Sequence, residues 1–243
     1  MFVRPNVAVL PVAGLSTRNL PATKAMHKGF LCLNNLPIIQ YAVNTCVEAG
    51  VKEIIFVYSD ETNRKMYENY FSPAPLLEER LLRNDKLELW EALKKTVPEG
   101  VKFSFACQDE PKGNGHAILC AKDIIGDRDF MVMWVDDVYV CRGKGILSQL
   151  LDVYEKFGGI VENVIKFPKE QLCRYGVFNG VTIDDFASYG VKCISLWSSD
   201  APGRLLQLDH SLGMISRRLT DYKSFEKVLK EYTQNDNEIC ESE

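Results

Sequence analysis

The sequence predicts an α/β protein in which a mainly parallel mixed sheet carries helices on both faces. Strands alternate with amphipathic helices along most of the chain, an order that sets parallel strands side by side. The apolar run Val7–Val12 stops abruptly before Gly14, and a second near-continuous apolar run, Phe130–Val135, ends in Asp136 and Asp137. Strands buried on both faces have such unbroken apolar runs, which predicts a sheet between two helical layers.

Length and composition are those of an ordinary globular protein. The 243 residues accommodate one α/β domain over 1–233, followed by a polar tail over 234–243. The net charge of −4 gives no global basic field to attract nucleic acid or anionic membrane. No apolar run approaches the roughly 20 residues of a membrane span, and no C-x-x-C pair indicates zinc. We therefore expect a cytoplasmic protein without nucleic-acid or membrane partners.

The first half of the chain shows clear helix and strand signals. Pro37 suits the start of a helix and Gly50 its end, with apolar residues at helical spacing between them. Glu53–Tyr58 is the next strand. A polar helix follows from about Glu61 to Phe71, and then one longer helical region from Leu76 to Thr96.

The second half continues the alternation. Val101–Cys107 alternates apolar and polar residues, as a strand near an edge does, and Phe130–Val135 is a central strand. Ile146–Phe157 has the spacing of an amphipathic helix. The remaining predicted elements are strands at Ile160–Lys166, Arg174–Phe178 and Gly190–Trp197 and a helix from about Tyr222 to Tyr232.

The segment after the first strand is a loop with three cations, Arg18, Lys24 and Lys28. Backbone N–H groups near a glycine, together with cations, are the groups with which open α/β sheets hold phosphate. The alternative is a simple turn with solvated lysines. The loop nevertheless predicts an anion site at the end of the first strand.

Asp136 and Asp137 follow the central strand. Adjacent side chains on a strand point to opposite faces, so one aspartate can face the crevice. A carboxylate there suits Mg²⁺, which takes one or two carboxylates and completes its shell with water and phosphate oxygens. A helix N-cap or a turn-forming pair is the alternative interpretation.

The opening loop resembles the signature of the sugar-nucleotide pyrophosphorylases, most closely that of the bacterial UTP–glucose-1-phosphate uridylyltransferases. That family reads G-L-G-T-R-x-L-P-A-T-K and, four residues on, P-K. The chain matches it over Gly14–Arg18, over Leu20–Lys24 and at Lys28. Three positions differ from the family pattern: Ser16 replaces a glycine, His27 replaces a proline, and Gly29 replaces an acid.

Two further segments carry the same resemblance. Gln108–Lys122 matches Q-x-E-P-x-G-x-G-H-A-x-x-C-A-K, and Arg174–Gly176 matches R-Y-G. The resemblance assigns the Gln108 side chain and the Gly113 backbone to a uracil edge and places Gly176 against a sugar. An amide suits this role because it can donate and accept at once.

The resemblance implies a Rossmann-like three-layer nucleotidyltransferase fold and a Mg²⁺-dependent reaction of UTP with a sugar-1-phosphate, with glucose-1-phosphate as the expected sugar phosphate, that yields a UDP-sugar. It also implies a homo-oligomer, since members of the family commonly form one. The implied catalytic residues are Arg18, Lys28 and Asp136, with Asp136 also the metal ligand. The implied substrate-binding residues are Ala13, Gly14, Leu15, Thr17, Lys24, Gln108, Gly113, Asp137 and Gly176.

Two alternatives remain open at this point. The match becomes sparse beyond about Gly180, and the family's V-E-K-P segment has no counterpart near Ser195–Ser198. A catalytically impaired homologue that binds nucleotide or regulates an active uridylyltransferase subunit is therefore the alternative function. A different α/β nucleotide-binding protein is the third interpretation.

Overall fold

The structure, a computed structural model, describes residues 1–139, 141, 143–163, 181–186, 191–195 and 214–216. For Arg18 and for the last three of these ranges it describes the backbone alone. The predicted strand at Arg174–Phe178, the predicted helix at Tyr222–Tyr232 and the tail over 234–243 lie outside the described residues. The division into a domain and a tail stays a prediction.

Helices and strands alternate through the described part of the chain. The strands are β1 Val7–Pro11, β2 Cys32–Leu33, β3 Leu36–Pro37, β4 Glu53–Tyr58, β5 Lys102–Cys107, β6 Phe130–Val132, β7 Val161–Glu162, β8 Val181–Phe186, β9 Val191–Ser195 and β10 Met214–Ser216. The α-helices are α1 Ile38–Glu48, α2 Glu61–Tyr70, α3 Pro75–Arg83, α4 Leu87–Lys94, α5 Asn114–Cys120, α6 Lys122–Ile125 and α7 Ile146–Phe157. The structure confirms the predicted strand at Glu53–Tyr58 and the predicted helix at Ile146–Phe157.

Six of the described strands form one mixed sheet in the order β5-β4-β1-β6-β10-β7. β1 pairs in parallel with β4 and β6, and β4 pairs in parallel with β5. β10 runs antiparallel between β6 and β7. The chain places β4 and β5 on one side of β1 and then crosses to place β6 on the other. The crevice at the carboxyl ends of β1 and β6 is therefore a topological switch point, where open α/β sheets bind ligands.

The sheet is buried on both faces, which confirms the predicted layers. Leu10 of β1 points into a core shared with Ile39 of α1 and Leu150 of α7. Val9 points to the opposite face and packs in a second core with Ile118 of α5. Each fully buried aliphatic side chain contributes about 1.5–3 kcal/mol relative to an exposed one. This alternation places one helical layer against each face of the sheet.

The structure has two helices, α3 and α4, where one longer helical region was predicted at Leu76–Thr96. The prediction of a single region was wrong. α3 ends in a Schellman motif, in which the Lys86 N–H donates to the Leu81 carbonyl at 2.9 Å and the Asp85 N–H to the Leu82 carbonyl at 3.1 Å. Asp85 has φ 54°, the left-handed conformation that ends the helix. Glycine is the usual residue there, and its absence hid the break from the sequence.

Within the part of the chain that the structure describes, no helix combines the length and the apolarity needed to cross a membrane.

Candidate functional site

Three loops meet at the carboxyl edge of the sheet. Gly14 follows β1, Gln108 follows β5 and Asp136 follows β6. Because these strands are parallel, their carboxyl ends lie at the same edge. The sheet thus gathers segments about a hundred residues apart in sequence at one edge.

Lys28 and Asp136 are in direct contact at the switch point. The Lys28 Nζ lies 2.7 Å from the Asp136 Oδ2, and the two side chains are 25% and 50% exposed. A pair so open to water contributes about 1 kcal/mol or less to stability. The structure therefore brings together two of the predicted catalytic residues, and both remain accessible to a ligand.

Asp137 lies beside this pair in a less favourable setting for a charge. Burial and, to a smaller extent, the neighbouring Asp136 carboxylate raise the pKa of Asp137, and Lys28 opposes them; the resulting pKa is about 6. An added cation would relieve the repulsion between the two carboxylates. Their hard oxygens fit Mg²⁺, which needs only one or two carboxylates when phosphate oxygens are present. No group of three or more His, Cys, Asp or Glu side chains that could hold a metal occurs among the described residues.

The loop after β1 is open around its glycine. Ala13 is buried at the end of the strand, whereas Gly14 and Leu15 are exposed. A Cβ on Gly14 would meet no atom within 4 Å of the described protein. Packing within the described residues therefore gives no reason for a glycine, whereas the close approach of a ligand would.

Ser16 adopts the conformation for which glycine is best suited, with φ 56°. The left-handed region costs a residue with a Cβ about 1 kcal/mol or more. Ser16 makes local hydrogen bonds that offset this cost: its hydroxyl donates to the Gly14 carbonyl at 3.3 Å, and its carbonyl accepts from the Thr23 hydroxyl at 2.7 Å. The Lys28 N–H also donates to the Ser16 Oγ at 3.4 Å. The serine thus links the loop to the turn that carries Lys28.

His27 is a site residue that the sequence reasoning did not identify. Its ring is buried, with Nε2 3.0 Å from the Gly14 carbonyl and Nδ1 3.2 Å from the Gly29 N–H. The Tyr67 hydroxyl also contacts Nδ1. Burial lowers the pKa of His27, the Lys28 charge lowers it as well, and the Gly14 carbonyl and Asp136 oppose them; the resulting pKa is about 4. The only signal in the sequence was the departure from the family pattern at positions 27 and 29 together.

Gln108 lies in the loop after β5, and hydrogen bonds within the protein orient its side-chain amide. Its Nε2 donates to the Gly113 carbonyl at 3.1 Å and lies 3.0 Å from Nδ1 of His116. The side chain is 6% exposed, and Gly113 has φ 90°, which favours glycine. Both amide hydrogens therefore have protein acceptors, and the Oε1 acceptor is left for a ligand.

The other predicted residues are less informative. Thr17 and Lys24 are exposed in short turns, and Lys24 forms no ion pair within the described residues. The structure describes the backbone of Arg18 in the turn Thr17–Asn19. Gly176 lies outside the described residues, so its predicted contact with the sugar stays a prediction.

A mainly parallel sheet covered on both faces, with cationic, carboxylate and amide groups at its switch point, is the arrangement with which open α/β proteins bind nucleotides. The chain belongs to the nucleotidyl transferase family, whose model matches residues 7–185. The family and the fold expected from the resemblance are thereby confirmed.

The curated relatives are uridylyltransferases. The chain is 41% identical over 175 residues to the UTP–glucose-1-phosphate uridylyltransferase of Bacillus subtilis strain 168, an alignment covering 72% of this chain and 59% of that protein. It is 35% identical over 206 residues to the enzyme of the same name from Haemophilus influenzae, covering 82% and 69%. The chain thus spans about 60% of the length of the first of these relatives.

Solved structures share the fold. The UTP-bound UGPase from Acinetobacter baumannii superposes with a TM-score of 0.73 at 28% identity, covering 88% of this chain and 74% of that one. A UDP-glucose pyrophosphorylase complexed with UDP-glucose superposes with a TM-score of 0.67 at 26% identity, covering 88% and 76%.

Proposed function

We propose that this protein transfers a uridylyl group from UTP to a sugar-1-phosphate, with glucose-1-phosphate as the first candidate, releasing pyrophosphate and a UDP-sugar. The observation that carries the proposal is the contact of Lys28 with Asp136 at the switch point of the sheet. The names of the relatives support it, since those proteins are uridylyltransferases and two of the structures hold UTP or UDP-glucose.

The reaction needs charge compensation more than proton transfer. A phosphate oxygen of the sugar-1-phosphate attacks the α-phosphorus of UTP, and the bond from that phosphorus to the oxygen bridging it to the β-phosphate breaks. Pyrophosphate leaves with the electron pair, and no proton has to move because the nucleophile is already an anion. The main barrier is the approach of two polyanions, which fixed cations lower.

Lys28 is the described cation best placed for this task. Asp136 holds its ammonium at the sheet edge, where it offers charge and hydrogen-bond donors to phosphate oxygens. The loop Ala13–Thr17 adds backbone N–H groups, with Arg18 and Lys24 as further cations of the same segment. Mg²⁺ bound to Asp136, with Asp137 beside it, would supply additional neutralisation of the phosphate charge.

Gln108 gives the site a means to select the base. Its Oε1 is the acceptor left after the amide hydrogens are used, and uracil presents a donor at N3. Cytosine has an acceptor at N3 and would leave two acceptors facing each other. We therefore expect UTP to be preferred over CTP, with Gly113 allowing the backbone to approach the ring.

The test is a pyrophosphate-release assay on the purified chain with UTP, glucose-1-phosphate and Mg²⁺, repeated with CTP and with other sugar-1-phosphates. The proposal predicts release that requires both substrates and is faster with UTP than with CTP. Absence of release with every sugar-1-phosphate, from protein whose melting temperature UTP still raises, would contradict catalysis and leave a nucleotide-binding protein.

A further inference from the structure

Two side chains hydrogen-bond the same carbonyl oxygen in the loop after β1. The Gly14 carbonyl accepts from the Ser16 hydroxyl at 3.3 Å and lies 3.0 Å from Nε2 of His27. His27 lies thirteen residues further along the chain, so its bond ties the loop to the turn that bears Lys28. These contacts fix the orientation of the Gly14–Leu15 peptide.

The partners of the His27 ring define its tautomer. A carbonyl oxygen can only accept, so Nε2 carries the hydrogen that reaches Gly14. The Gly29 N–H can only donate, so Nδ1 is bare and accepts from it, and the Tyr67 hydroxyl approaches the same nitrogen. The ring is therefore neutral, and all of its polar capacity is used within the protein.

The close approach of Tyr67 depends on the absence of a side chain at position 29. A Cβ on Gly29 would lie 2.6 Å from the Tyr67 hydroxyl and 3.4 Å from Nδ1 of His27. Tyr67 is itself buried against Phe30 and Phe56, so it has little room to move. Gly29 and Tyr67 thus act together to hold the imidazole in place.

The held carbonyl determines where the next N–H group points. In a trans peptide the C=O and the following N–H point in opposite directions. With the Gly14 carbonyl directed at the buried His27, the Leu15 N–H points away from it, and the Leu15 residue is 72% exposed. No described residue accepts a hydrogen bond from this N–H. An exposed, uncommitted N–H in such a loop suits an anion such as phosphate.

We propose that His27 is a positioning residue that aims the Leu15 N–H at a phosphate group of the bound nucleotide by holding the Gly14 carbonyl through its Nε2–H. The kinetic part of this inference rests on the proposed function, and its structural part does not. His27 also places Lys28, the next residue in the chain, so the loop and the cation are held by one ring.

Two conservative variants test the hydrogen bonds of Nε2 and Nδ1 of His27 separately. The side-chain amide of His27→Gln can place a donor near the position of Nε2, and so retain the bond to Gly14. His27→Asn places its oxygen near the position of Nδ1 and so retains the bond from Gly29, but it cannot reach Gly14. A role confined to packing would make both variants fail alike.

We expect His27→Asn to lower kcat/KM for UTP by about 10–100-fold, the loss typical of a displaced positioning group. His27→Gln should retain most of the wild-type value, and the KM for glucose-1-phosphate should stay unchanged in both. Tyr154→Phe is the matched control. It removes a buried hydroxyl that lies away from this loop and donates to the Asp129 carboxylate at 2.6 Å. It should reduce the melting temperature without affecting kcat. The proposal would be overturned if His27→Asn and His27→Gln lost kcat/KM for UTP equally and the loss followed the decrease in their melting temperatures.

A measurement of the His27 tautomer in the wild-type chain needs neither turnover nor a stable His27 variant. The chain has three histidines, so two-bond ¹H–¹⁵N spectra can be assigned by substituting the other two, His116 and His210. We expect His27 to be protonated on Nε2 and bare on Nδ1 at pH 7. The Nδ1–H tautomer would overturn the proposal. Failure of wild-type turnover would count against the proposed function alone, and calorimetric binding of UTP to the two variants would then replace kcat/KM as the second readout.

Discussion

Lys28 and Asp136 form an ion pair that is poorly suited to stabilising the fold and well suited to binding a ligand. They lie 2.7 Å apart, but both side chains retain contact with solvent. An exposed pair gains little in water because each charge is already well hydrated. Replacing either residue should therefore leave the fold nearly unchanged while removing a group that faces the phosphates.

Asp136→Asn should lower kcat for pyrophosphate release by at least about 100-fold, since electrostatic groups at a transferring phosphoryl centre contribute factors of this order. The free energy of unfolding should change by less than about 1 kcal/mol. Asp127→Asn is the matched control, because Asp127 is an exposed aspartate at the opposite end of β6. If Asp136→Asn had the same kcat as the wild type and the Asp127→Asn control, Asp136 would not be part of the site.

Gln108→Glu should specifically weaken recognition of the base. A carboxylate has no hydrogen to donate to the Gly113 carbonyl, so the side chain loses the contact that orients it. We expect KM for UTP to rise by roughly 10–100-fold, corresponding to the 1–3 kcal/mol of a buried polar mismatch, with a smaller change in kcat. Initial rates over a range of UTP concentrations are the measurement. An unchanged KM for UTP would contradict the role of the oriented Gln108 side chain in binding the base.

At the scale of elements, the short turn Lys28–Phe30 depends on a contact with α2. Gly29→Ala would place a Cβ 2.6 Å from the Tyr67 hydroxyl, in a buried site that cannot relax freely. Such overpacking costs about 1–3 kcal/mol. Tyr67→Phe removes the clashing oxygen, so the double variant should lose less stability than the sum of the two single variants. Chemical denaturation of all four proteins gives the coupling free energy, and simple additivity would contradict the contact.

The elements differ in how far the sequence predicted them. The bounds of β4 and α7 were predicted because β4 is apolar from Ile54 onward and α7 has strong helical periodicity. The break between α3 and α4 was missed because Asp85, rather than glycine, adopts the left-handed conformation. β10 was missed because a three-residue strand is defined by its distant partners β6 and β7 and not by its own residues.

The candidate site residues also differ in whether the local sequence or a distant contact defines their role. The sequence indicated Lys28, Asp136 and Gln108, because each follows a strand in a recognisable motif. The role of His27 could not be predicted, since it depends on Tyr67, which lies forty residues further along the chain. Local patterns therefore indicated candidate groups at the carboxyl edge of the sheet, whereas the groups that hold them in place needed the tertiary structure.

At the scale of the whole molecule, Glu53 ties three parts of the sheet together at the edge opposite the site. Its carboxylate accepts from Lys102 at 2.8 Å, from Ser104 at 2.6 Å and from Arg128 at 2.7 Å. Burial raises the pKa of Glu53, but these donors outweigh it and lower the pKa to about 2. The charged form is thus favoured by folding.

The sign of the pH dependence follows from this shift. Glu53 stabilises the fold fully above its unfolded pKa of about 4.5, and the stabilisation is lost as the pH falls from there towards 2. Glu53→Gln should therefore destabilise the protein by at least about 1 kcal/mol at pH 7, and by less at pH 3. Urea denaturation of both proteins at the two pH values is the measurement. An equal loss of stability in Glu53→Gln at pH 7 and at pH 3 would contradict a stabilising, charged Glu53.

The proposed uridylyl transfer requires that the triphosphate of UTP bind at the edge where Lys28 and Asp136 meet, with a divalent cation on the aspartate. Calorimetric titration of UTP into the wild type and Asp136→Asn, with and without Mg²⁺, measures this binding. We expect Mg²⁺ to strengthen binding to the wild type by at least about tenfold, or 1.4 kcal/mol, and to have little effect on the variant. Identical strengthening in both proteins, or UTP binding that ignores Mg²⁺ in the wild type, would contradict this requirement.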